Sequence, residues 1–295
     1  MPTVRDLAEL VRAPAALSVP GDVVAGAAAA GAPLRHAPGL AGASVLLYWA
    51  GMAANDWADR ALDAVERPER PIPSGRVAPV EALGLAAGLT AAGLAVAAAA
   101  GGRRALALAM PLAAAVWAYD LRAKNTPAGP AVMASCRALD VLLGAAPAGV
   151  RGLRRAVPAA LTVAAHTYTV TALSRREVTG ADPALPAATL AGTAMVAAAA
   201  AGRDPRAAAA GRENGGDLLP VALAGWYAAR YGAAQVRAAA EPTAPRIRAA
   251  VGAGITALPA LQGALAARAG AAFTGALVAA AAPIGRRLAR RMATT

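Results

Sequence analysis

The amino-acid sequence predicts an all-α fold, a polytopic bundle of nine to ten transmembrane helices built as a single domain over residues 1–295. Two observations predict it. Hydrophobic residues make up 58% of the chain and charged residues only 16%, whereas a soluble domain carries about a quarter charged residues. Apolar runs of about 17 to 25 residues, the length of a helix that spans hydrocarbon, recur along the whole chain. The expected solvent is therefore the bilayer.

Ten such runs follow one another. They lie at 14–31, 40–62, 79–100, 104–120, 129–150, 155–174, 184–202, 217–236, 244–265 and 267–285. Nearly every run is apolar on all sides, whereas the helices of a soluble bundle keep a polar stripe at helical period. A count of nine spans is as defensible as ten.

The net charge of +12 does not indicate a nucleic-acid partner. The basic residues stand singly between apolar runs, with no aromatic platform beside them. If the N-terminus is cytoplasmic, the ten-span arrangement places more basic residues in the inside-facing segments than in the outside-facing ones, as the positive-inside rule expects. Arg151, Arg154 and Arg155 argue locally against this orientation. The pattern predicts an integral protein of a bacterial cytoplasmic membrane, in contact with membrane lipid and with its active site facing the cytoplasm.

The acidic residues cluster at the end of the second span. Asp56, Asp59 and Asp63 are spaced i, i+3 and i+7, so their carboxylates share one helix face if that span continues to about residue 64. Asn55 adds an amide oxygen. Like charges on one face repel, so the spacing indicates a divalent cation between them, and oxygen ligands suit Mg²⁺. The alternative is a solvated helix end.

The loop that follows, residues 66–76, contains three prolines, a glycine and three arginines. The prolines exclude a helix. Arg67 and Arg70 are close enough in sequence to fold back over an anion held by the acidic face, so the loop is predicted to cover that anion. The alternative is an ordinary basic cytoplasmic loop.

Two further polar groups are expected on the same membrane side. The fourth span ends with Tyr119 and Asp120, and Arg122 and Lys124 follow it. Lys124 would neutralise a leaving diphosphate, while Arg122 serves equally well as a membrane-flank anchor. After the sixth span come Arg176, Glu177 and Asp182. The two acids would complete a second metal locus, although their i, i+5 spacing does not align them on a helix, so at most one is expected to ligate directly.

Ionisable residues within the spans are costly and usually pair or face a cavity. Arg137 and Asp140 stand three residues apart on one predicted helix and are expected to neutralise each other. His166 is expected to be a hydrogen-bonded packing residue.

The motif N-D-W-A-D-R-A-L-D at 55–63 resembles the first aspartate-rich motif, N-D-x-x-D-x-x-x-D, of UbiA-type prenyltransferases. The stretch R-P-E-R-P-I-P-S-G at 67–75 resembles the R-P-x-x-S-G segment that those enzymes carry next. Y-D-L-R-A-K-N-T at 119–126 is similar to their Y-x-x-x-x-K-x-T segment. The stretch at 124–137 most resembles the EboC-like branch.

The resemblance implies an intramembrane enzyme that binds a polyprenyl diphosphate through Mg²⁺ and transfers the prenyl group to an unknown acceptor, aromatic or otherwise small and lipophilic. It gives catalytic roles to Asp56, Asp59 and Lys124. The substrate-binding set is Asn55, Arg67, Arg70, Tyr119, Arg122, Lys124 and Arg176, and the metal set is Asn55, Asp56, Asp59, Asp63, Glu177 and Asp182. The chain departs from the family pattern at the second motif, where D-x-x-x-D is common.

Two alternatives remain open. CDP-alcohol phosphotransferases also place carboxylates and metal at a membrane edge, but their D-G-x-x-A-R signature is missing from the sequence. A non-catalytic UbiA-like prenyl-lipid carrier or transporter component is the other, because the second acidic motif is thin.

Overall fold

The computed structural model describes residues 2–13, 18–202 and 218–280. The helices in chain order are α1 Val4–Leu10, α2 Pro20–Ala30, α3 Ala37–Ala58, α4 Arg60–Glu66, α5 Pro79–Ala118, α6 Gly129–Ala145, α7 Gly149–Ser174, α8 Ala184–Ala201, α9 Leu218–Ala240 and α10 Ala244–Arg268. Residues 272–280 are helical as well. No strand occurs in the described part of the chain, and the all-α prediction is confirmed.

Among the described residues, five helical segments are long and apolar enough to cross a membrane, judged by length and composition: Leu34–Ala58, Pro79–Ala123, Gly129–Ser174, Ala184–Ala201 and Ala244–Arg268. The predicted span at 14–31 is represented by the shorter helix α2. Residues 14–17, 217 and 281–285 of the predicted spans lie outside the described residues.

Helix α5 reverses direction at Gly102, whose φ of 68° and ψ of −162° are non-helical. The Trp117 indole N–H donates to the Thr90 hydroxyl at 3.1 Å. In a straight helix these residues, 27 positions apart, would be separated by about 40 Å. The segment is therefore a hairpin of two antiparallel helices, as the separate spans at 79–100 and 104–120 predict. Only glycine adopts this backbone conformation readily.

The turns collect at two ends of the bundle. At one end, Arg175 donates from its guanidinium to the Thr126 carbonyl, which joins the loop after α7 to the loop before α6. The Ala181 amide donates to the Pro242 carbonyl at 3.0 Å, which adds the turn between α9 and α10. At the other end, the His36 ring nitrogen Nδ1 lies 2.7 Å from the Ala100 carbonyl oxygen. The three predicted polar groups share the first end.

Helices α2 and α6 approach each other through a reciprocal glycine contact. A Cβ on Gly26 would lie 1.7 Å from the Val141 carbonyl oxygen, and a Cβ on Gly144 would lie 2.0 Å from the Val23 carbonyl oxygen. Side chains larger than hydrogen would force the backbones apart. Small residues allow such packing between membrane helices, where van der Waals contact drives association.

The prediction that the second span continues to about residue 64 is wrong at Asp59. Helix α3 ends at Ala58, Asp59 has φ −87° and ψ 2°, and α4 begins at Arg60. The interruption is short, because the Asp59 amide still donates to the Asn55 carbonyl and the Asp63 amide to the Asp59 carbonyl. The helical hydrogen-bond pattern thus continues across the junction between α3 and α4.

Candidate functional site

The first acidic group lies at the junction of α3 and α4. The Asp56 and Asp63 residues are 4% and 2% exposed, although they stand at the end of the bundle. Carboxylates are rarely buried unless they are paired or bind a metal. The carboxylates at the junction are therefore enclosed by the protein, and the junction is not a solvated helix end.

Arg70 links the two buried carboxylates. Its NH1 atom lies 2.6 Å from Asp63 Oδ2 and 3.3 Å from Asp56 Oδ1. Residues 67–76, which we call the cover loop, are non-helical as the prolines predict, although Glu66 still belongs to α4. The turns of this loop bring Arg70 back to α4. In this structure the guanidinium contacts the carboxylates directly. Arg67 is more peripheral, with NH1 4.0 Å from Asp63 Oδ1 and about half of its side chain exposed.

Lys124 supplies the second cation. Its Nζ lies 2.6 Å from Asp59 Oδ1 and donates to Asn55 Oδ1 at 3.1 Å. A π-helical turn over Tyr119–Ala123 sets its position, because the Lys124 amide donates to the Tyr119 carbonyl five residues earlier. The five-residue spacing of Tyr119 and Lys124 thus matches one π turn. Such turns often mark functional sites.

Arg12 is a site residue that the sequence reasoning missed. Its NH2 atom donates to Asp56 Oδ1 at 2.9 Å. Its φ of 47° is the one positive value at a non-glycine residue in the described part of the chain, and such strained backbones cluster at functional sites. The contact joins residues that are 44 positions apart in the sequence, so no short-range spacing pattern predicts it. The available signal is a lone arginine just before the first apolar run.

Helix α1 is held against the cover loop by Arg76. The Arg76 guanidinium donates to Asp6 Oδ1 and Glu9 Oε2, both at 2.8 Å. Hydrogen bonds from Thr3, with a further contribution from Arg76, lower the pKa of Asp6 to about 2. The hydrogen bond from Arg76 lowers the pKa of Glu9, and these two acids raise the pKa of Arg76. We call this set, Thr3, Asp6, Glu9 and Arg76, the N-terminal clasp.

The second acidic group is arranged differently. The Asp182 Oδ1 atom accepts a hydrogen bond from the Ala184 amide at 2.8 Å, at the start of α8. Partial burial raises the pKa of Glu177, against the opposing charges of Arg248 and Arg67. Arg248 NH1 also donates to the Glu177 carbonyl oxygen at 2.7 Å. Glu177 thus lies within electrostatic reach of Arg67 and Arg248, while Asp182 caps a helix.

Arg176 and Arg122 are exposed at the same end of the bundle. Tyr119 is half-buried and lines the pocket described below. The structure therefore brings together Asn55, Asp56, Asp59, Asp63, Arg70 and Lys124, and it leaves Arg67, Arg122, Arg176, Glu177 and Asp182 at the margin.

Charge in the first acidic group is balanced by protein cations. Asp56, Asp59 and Asp63 face Arg12, Lys124 and Arg70. Within residues 2–13, 18–202 and 218–280, no three His, Cys, Asp or Glu side chains converge into a metal-binding group. The donors present are all oxygen, which fits Mg²⁺, and this ion commonly takes one or two carboxylates together with water and substrate phosphate oxygens.

An apolar pocket of about 90 Å³ lies beneath this group, between α3, the second half of α5, and α6. Gly51 and Met52 line it one helical turn before Asn55 and Asp56. A Cβ on Gly51 would lie 2.7 Å from Val116 Cγ1 and 3.3 Å from Asp120 Oδ2, so glycine keeps this wall open. We call it the central pocket.

Buried charges beside the central pocket show that the predicted pairing of Arg137 with Asp140 is wrong. Arg137 Nε pairs with Asp22 Oδ2 of α2 at 2.8 Å, and not with Asp140 of its own helix. Asp140 Oδ1 accepts from the Ser44 hydroxyl at 2.6 Å. Asp22 Oδ1 accepts from Gln262 Nε2 at 2.7 Å. His166 is a packing residue as predicted, 2% exposed with Nδ1 2.9 Å from the Tyr227 hydroxyl.

Solved structures share this fold. A UbiA homolog from Aeropyrum pernix K1 superposes with a TM-score of 0.65 at 22% sequence identity, covering 85% of this chain and 96% of that one. A second structure, from work on digeranylgeranylglyceryl phosphate synthase in membranes, gives a TM-score of 0.63 at 16% identity over 90% of this chain and 98% of that one. At these identities the likeness concerns the fold.

Curated relatives match over shorter stretches. The digeranylgeranylglyceryl phosphate synthase of Methanopyrus kandleri is 44% identical over 85 residues, which are 29% of this chain and 31% of that protein. The enzyme of the same name from Ignicoccus hospitalis is 48% identical over 86 residues, 29% of this chain and 28% of that protein. The matched stretches thus span about a third of these relatives.

The family model described as the UbiA prenyltransferase family matches residues 17–178. This range is more than half of the chain, and it contains the first acidic group, the cover loop, Lys124 and Glu177. Together with the apolar helices, it identifies an integral membrane protein. The chain belongs to the UbiA prenyltransferase family.

Proposed function

We propose that this protein transfers a prenyl group from a polyprenyl diphosphate to a lipophilic acceptor within the membrane, in a Mg²⁺-dependent reaction. The observation that carries the proposal is a set of paired carboxylates and cations placed directly above an apolar pocket. A substrate with a charged head and a long apolar tail needs both environments side by side. The name of the curated relatives, synthases of digeranylgeranylglyceryl phosphate, supports a prenyl substrate.

Arg70 and Lys124 would bind the diphosphate. Both cations are at most 18% exposed, and a donor in a water-poor site stabilises developing negative charge more than it would in water. Arg12 would join them, since it reaches the same Asp56 oxygen as Arg70. Each cation would exchange a carboxylate partner for a phosphate oxygen when substrate binds.

Charge balance supports a metal requirement. The three carboxylates of the first acidic group are already matched by three cations, so a bound diphosphate adds negative charge that these residues do not offset. Asn55, Asp56, Asp59 and Asp63 would hold Mg²⁺, which neutralises the leaving group when bound. The exposed Arg67, Arg122 and Arg176 would add positive charge at the margin.

The second metal locus stays part of the proposal. Glu177 lies near the cover loop, as the effect of Arg67 on its pKa indicates. Asp182 has one oxygen occupied by the Ala184 amide, so it would offer a single oxygen. We assign the ligand role to Glu177 alone, because at most one of the two acids is expected to ligate directly.

The transfer itself needs little covalent chemistry from the protein. The allylic C–O bond breaks and its electron pair leaves on the diphosphate oxygen. The acceptor nucleophile then donates an electron pair to the allylic carbon, forms the new bond and loses its proton. The residues of this chain hold the leaving group, orient the tail beneath it and exclude water.

We further propose that the site faces the cytoplasm. The end of the bundle that holds the site carries more basic residues than the opposite end, as the positive-inside rule expects. They are Arg12, Arg67, Arg70, Arg76, Arg122, Lys124, Arg175, Arg176 and Arg248. The arginines at 103, 104, 151, 154 and 155 lie near the opposite turns. A bacterial host stays a prediction, because the relatives named above are archaeal.

The experiment incubates purified protein in nanodiscs with Mg²⁺, labelled farnesyl, geranylgeranyl and longer prenyl diphosphates, and membrane lipid extract. Labelled lipid product is expected with Mg²⁺ and not with excess EDTA. The Asp59→Asn variant is expected to lose the product while still inserting and folding, and Asp182→Asn is the matched control.

Equal product formation with EDTA would overturn the metal requirement. Full activity of Asp59→Asn would overturn the assignment of the first acidic group. Saturable binding of a prenyl diphosphate without product in any extract would favour the carrier alternative.

A further inference from the structure

A long apolar groove, which we call the outer groove, follows α7 between α6 and α8. Its volume is about 1040 Å³, compared with about 90 Å³ for the central pocket. Helix α6 separates the two cavities, because Ala134, Ser135 and Ala138 line the outer groove whereas Met133 and Arg137 line the central pocket. The outer groove is therefore distinct from the pocket assigned to the prenyl tail.

The walls of the outer groove suit a hydrocarbon chain. Their Ser and Thr hydroxyl groups donate to backbone carbonyls three or four residues earlier in the same helix, at 2.7–2.9 Å, and so need no partner in the groove: Ser135, Thr162, Thr169 and Thr189. On its rim, Leu161 and Met195 are 62% and 70% exposed. Large exposed apolar surfaces mark sites that bind an apolar partner.

The start of α7 carries three exposed arginines. Arg151, Arg154 and Arg155 are spaced i, i+3 and i+4, so they are neighbours on the helix surface and their like charges repel. No Asp or Glu occurs at 141–176. An anion from outside this segment would relieve the repulsion.

The turn of α5 adds two more arginines at the same end of the bundle. A Cβ on Gly149, at the start of α7, would lie 3.8 Å from NH1 of Arg104, and Arg103 precedes it. No Asp or Glu occurs at 82–119 either. We call Arg103, Arg104, Arg151, Arg154 and Arg155 the arginine patch. Such a concentration of one sign of charge attracts anions.

The arginine patch and the outer groove share one face of α7. Arg154, Leu161, Ala165 and Tyr168 are separated by seven, four and three positions, which places them along one side of the helix. The last three line the outer groove. The fourteen positions from Arg154 to Tyr168 correspond to about 21 Å, and one leaflet with its headgroups is also about 21 Å thick.

We propose that the arginine patch and the outer groove bind an anionic phospholipid from the leaflet opposite the proposed catalytic site. Its phosphate contacts Arg151, Arg154 and Arg155, and one acyl chain lies along α7. A zwitterionic lipid is disfavoured, because its head brings a cation to the arginines. The prenyl donor fits less well, because its diphosphate is assigned to the other end of the bundle. The lipid takes no part in prenyl transfer.

Native mass spectrometry of the full chain in mild detergent tests the proposal, without Mg²⁺ or prenyl diphosphate. The probes are phosphatidylglycerol and phosphatidylcholine with identical acyl chains, and glycerol 1-phosphate as a head without chains. Wild-type protein is expected to bind phosphatidylglycerol about tenfold more tightly than phosphatidylcholine. Equimolar glycerol 1-phosphate is expected not to displace the lipid. Because no transfer is measured, failure of prenyl transfer would not affect these results.

The charge variant is Arg151→Gln/Arg154→Gln/Arg155→Gln. It is expected to reduce the preference for phosphatidylglycerol to about twofold, since each arginine near anionic lipid contributes a similar attraction. The matched control removes three exposed arginines from α9 and α10, Arg230→Gln/Arg237→Gln/Arg246→Gln, and is expected to keep the wild-type preference.

The groove variant is Ala165→Phe, which places a ring where the acyl chain would lie. Ala165 is exposed, so the larger side chain does not disturb the core. Binding of both lipids is expected to weaken at least fivefold while the preference between them stays. The control is Ala233→Phe, at an exposed position of α9, and it is expected to match wild type. Thermal transitions in the same detergent check the folding of every variant.

Five outcomes would overturn the proposal. Equal affinity of wild type for the two lipids would remove the role of charge, as would an unchanged preference in the folded charge variant. Unchanged lipid binding in folded Ala165→Phe would remove the role of the outer groove. Displacement of the lipid by glycerol 1-phosphate would indicate a site for a free anion. Displacement by equimolar geranylgeranyl diphosphate would assign the groove to the prenyl donor.

Discussion

The two acidic groups at the same end of the bundle differ in burial and in partners. The first, Asp56 to Asp63, has two carboxylates no more than 4% exposed, and each of its three acids contacts a cation. In the second, Asp182 is exposed and caps α8, and Glu177 is partly buried near Arg67 and Arg248. Burial of charge is costly unless partners compensate it.

The charges of the first group are therefore paired with one another before any ligand binds. Its two arginines and its lysine come from three separate parts of the chain, the N-terminal segment, the cover loop and the end of the π turn, whereas its acids come from the α3–α4 junction. In the second group, the Asp182 carboxylate mainly accepts a hydrogen bond from a backbone amide at the start of α8. Substitutions in the two groups should therefore have effects of very different size.

The largest difference is expected in catalysis. Asp59→Asn removes a charge that faces Lys124 at 2.6 Å, and it should lower the rate of prenyl transfer by about a thousandfold, or roughly 4 kcal/mol of barrier. Asp182→Asn should stay within about threefold of wild type. Initial rates with labelled diphosphate measure both. Similar losses in the two variants would remove the distinction between the groups.

Stability should respond next. Arg70→Ala leaves two buried carboxylates without their shared partner, and we expect a loss of about 3 kcal/mol in the free energy of unfolding. The control is Arg67→Ala, whose arginine is half exposed and 4.0 Å from Asp63, and which should change stability by less than about 1 kcal/mol. Thermal unfolding in nanodiscs compares them. Equal losses would show that the bridge by Arg70 is not the stabilising contact.

The N-terminal clasp should open on acidification. The folded pKa values of Asp6, about 2, and of Glu9 lie below their ordinary values. Their contribution to docking of α1 is thus fully present above the ordinary pKa of about 4 and is lost as pH falls through the folded values. Hydrogen exchange of α1, corrected for intrinsic rates between pH 5 and pH 2, should show rising exposure.

Arg76→Ala supplies the control for the clasp. Without the guanidinium, α1 should exchange quickly at pH 5 already and show a flatter dependence on pH. A wild-type profile that matches this variant throughout would mean that Arg76 does not hold α1.

The smallest effect is expected at the helix start. Asp182→Ala removes the acceptor for the Ala184 amide and should lower the free energy of unfolding by about 1 kcal/mol. Glu177→Gln, which leaves that hydrogen bond in place, should not. If Asp182→Ala instead abolishes prenyl transfer with normal stability, Asp182 belongs to the reaction and the contrast between the groups fails.

Much of the fold was predictable because apolar length and glycine position are local signals. The spans at 79–100 and 104–120 and the reversal between them follow from the chain alone. The acidic cluster, Arg70 and Lys124 were likewise within reach of spacing and motif. The role of Arg12 was not predictable, since its partner Asp56 is 44 positions away. The pairing of Arg137 with Asp22 was not predictable either, because it depends on the close approach of α2 and α6 that two glycines permit.

The π turn between Tyr119 and Lys124 makes the site more sensitive to chain length than to residue identity. A π turn holds one residue more than an α turn, so a single deletion among positions 120–123 would restore regular helix and rotate everything beyond it by about 100°. Lys124 would keep its charge and lose Asn55 and Asp59. In a library of variants, substitutions at Leu121 and Ala123 should be tolerated, whereas single deletions should be eliminated first.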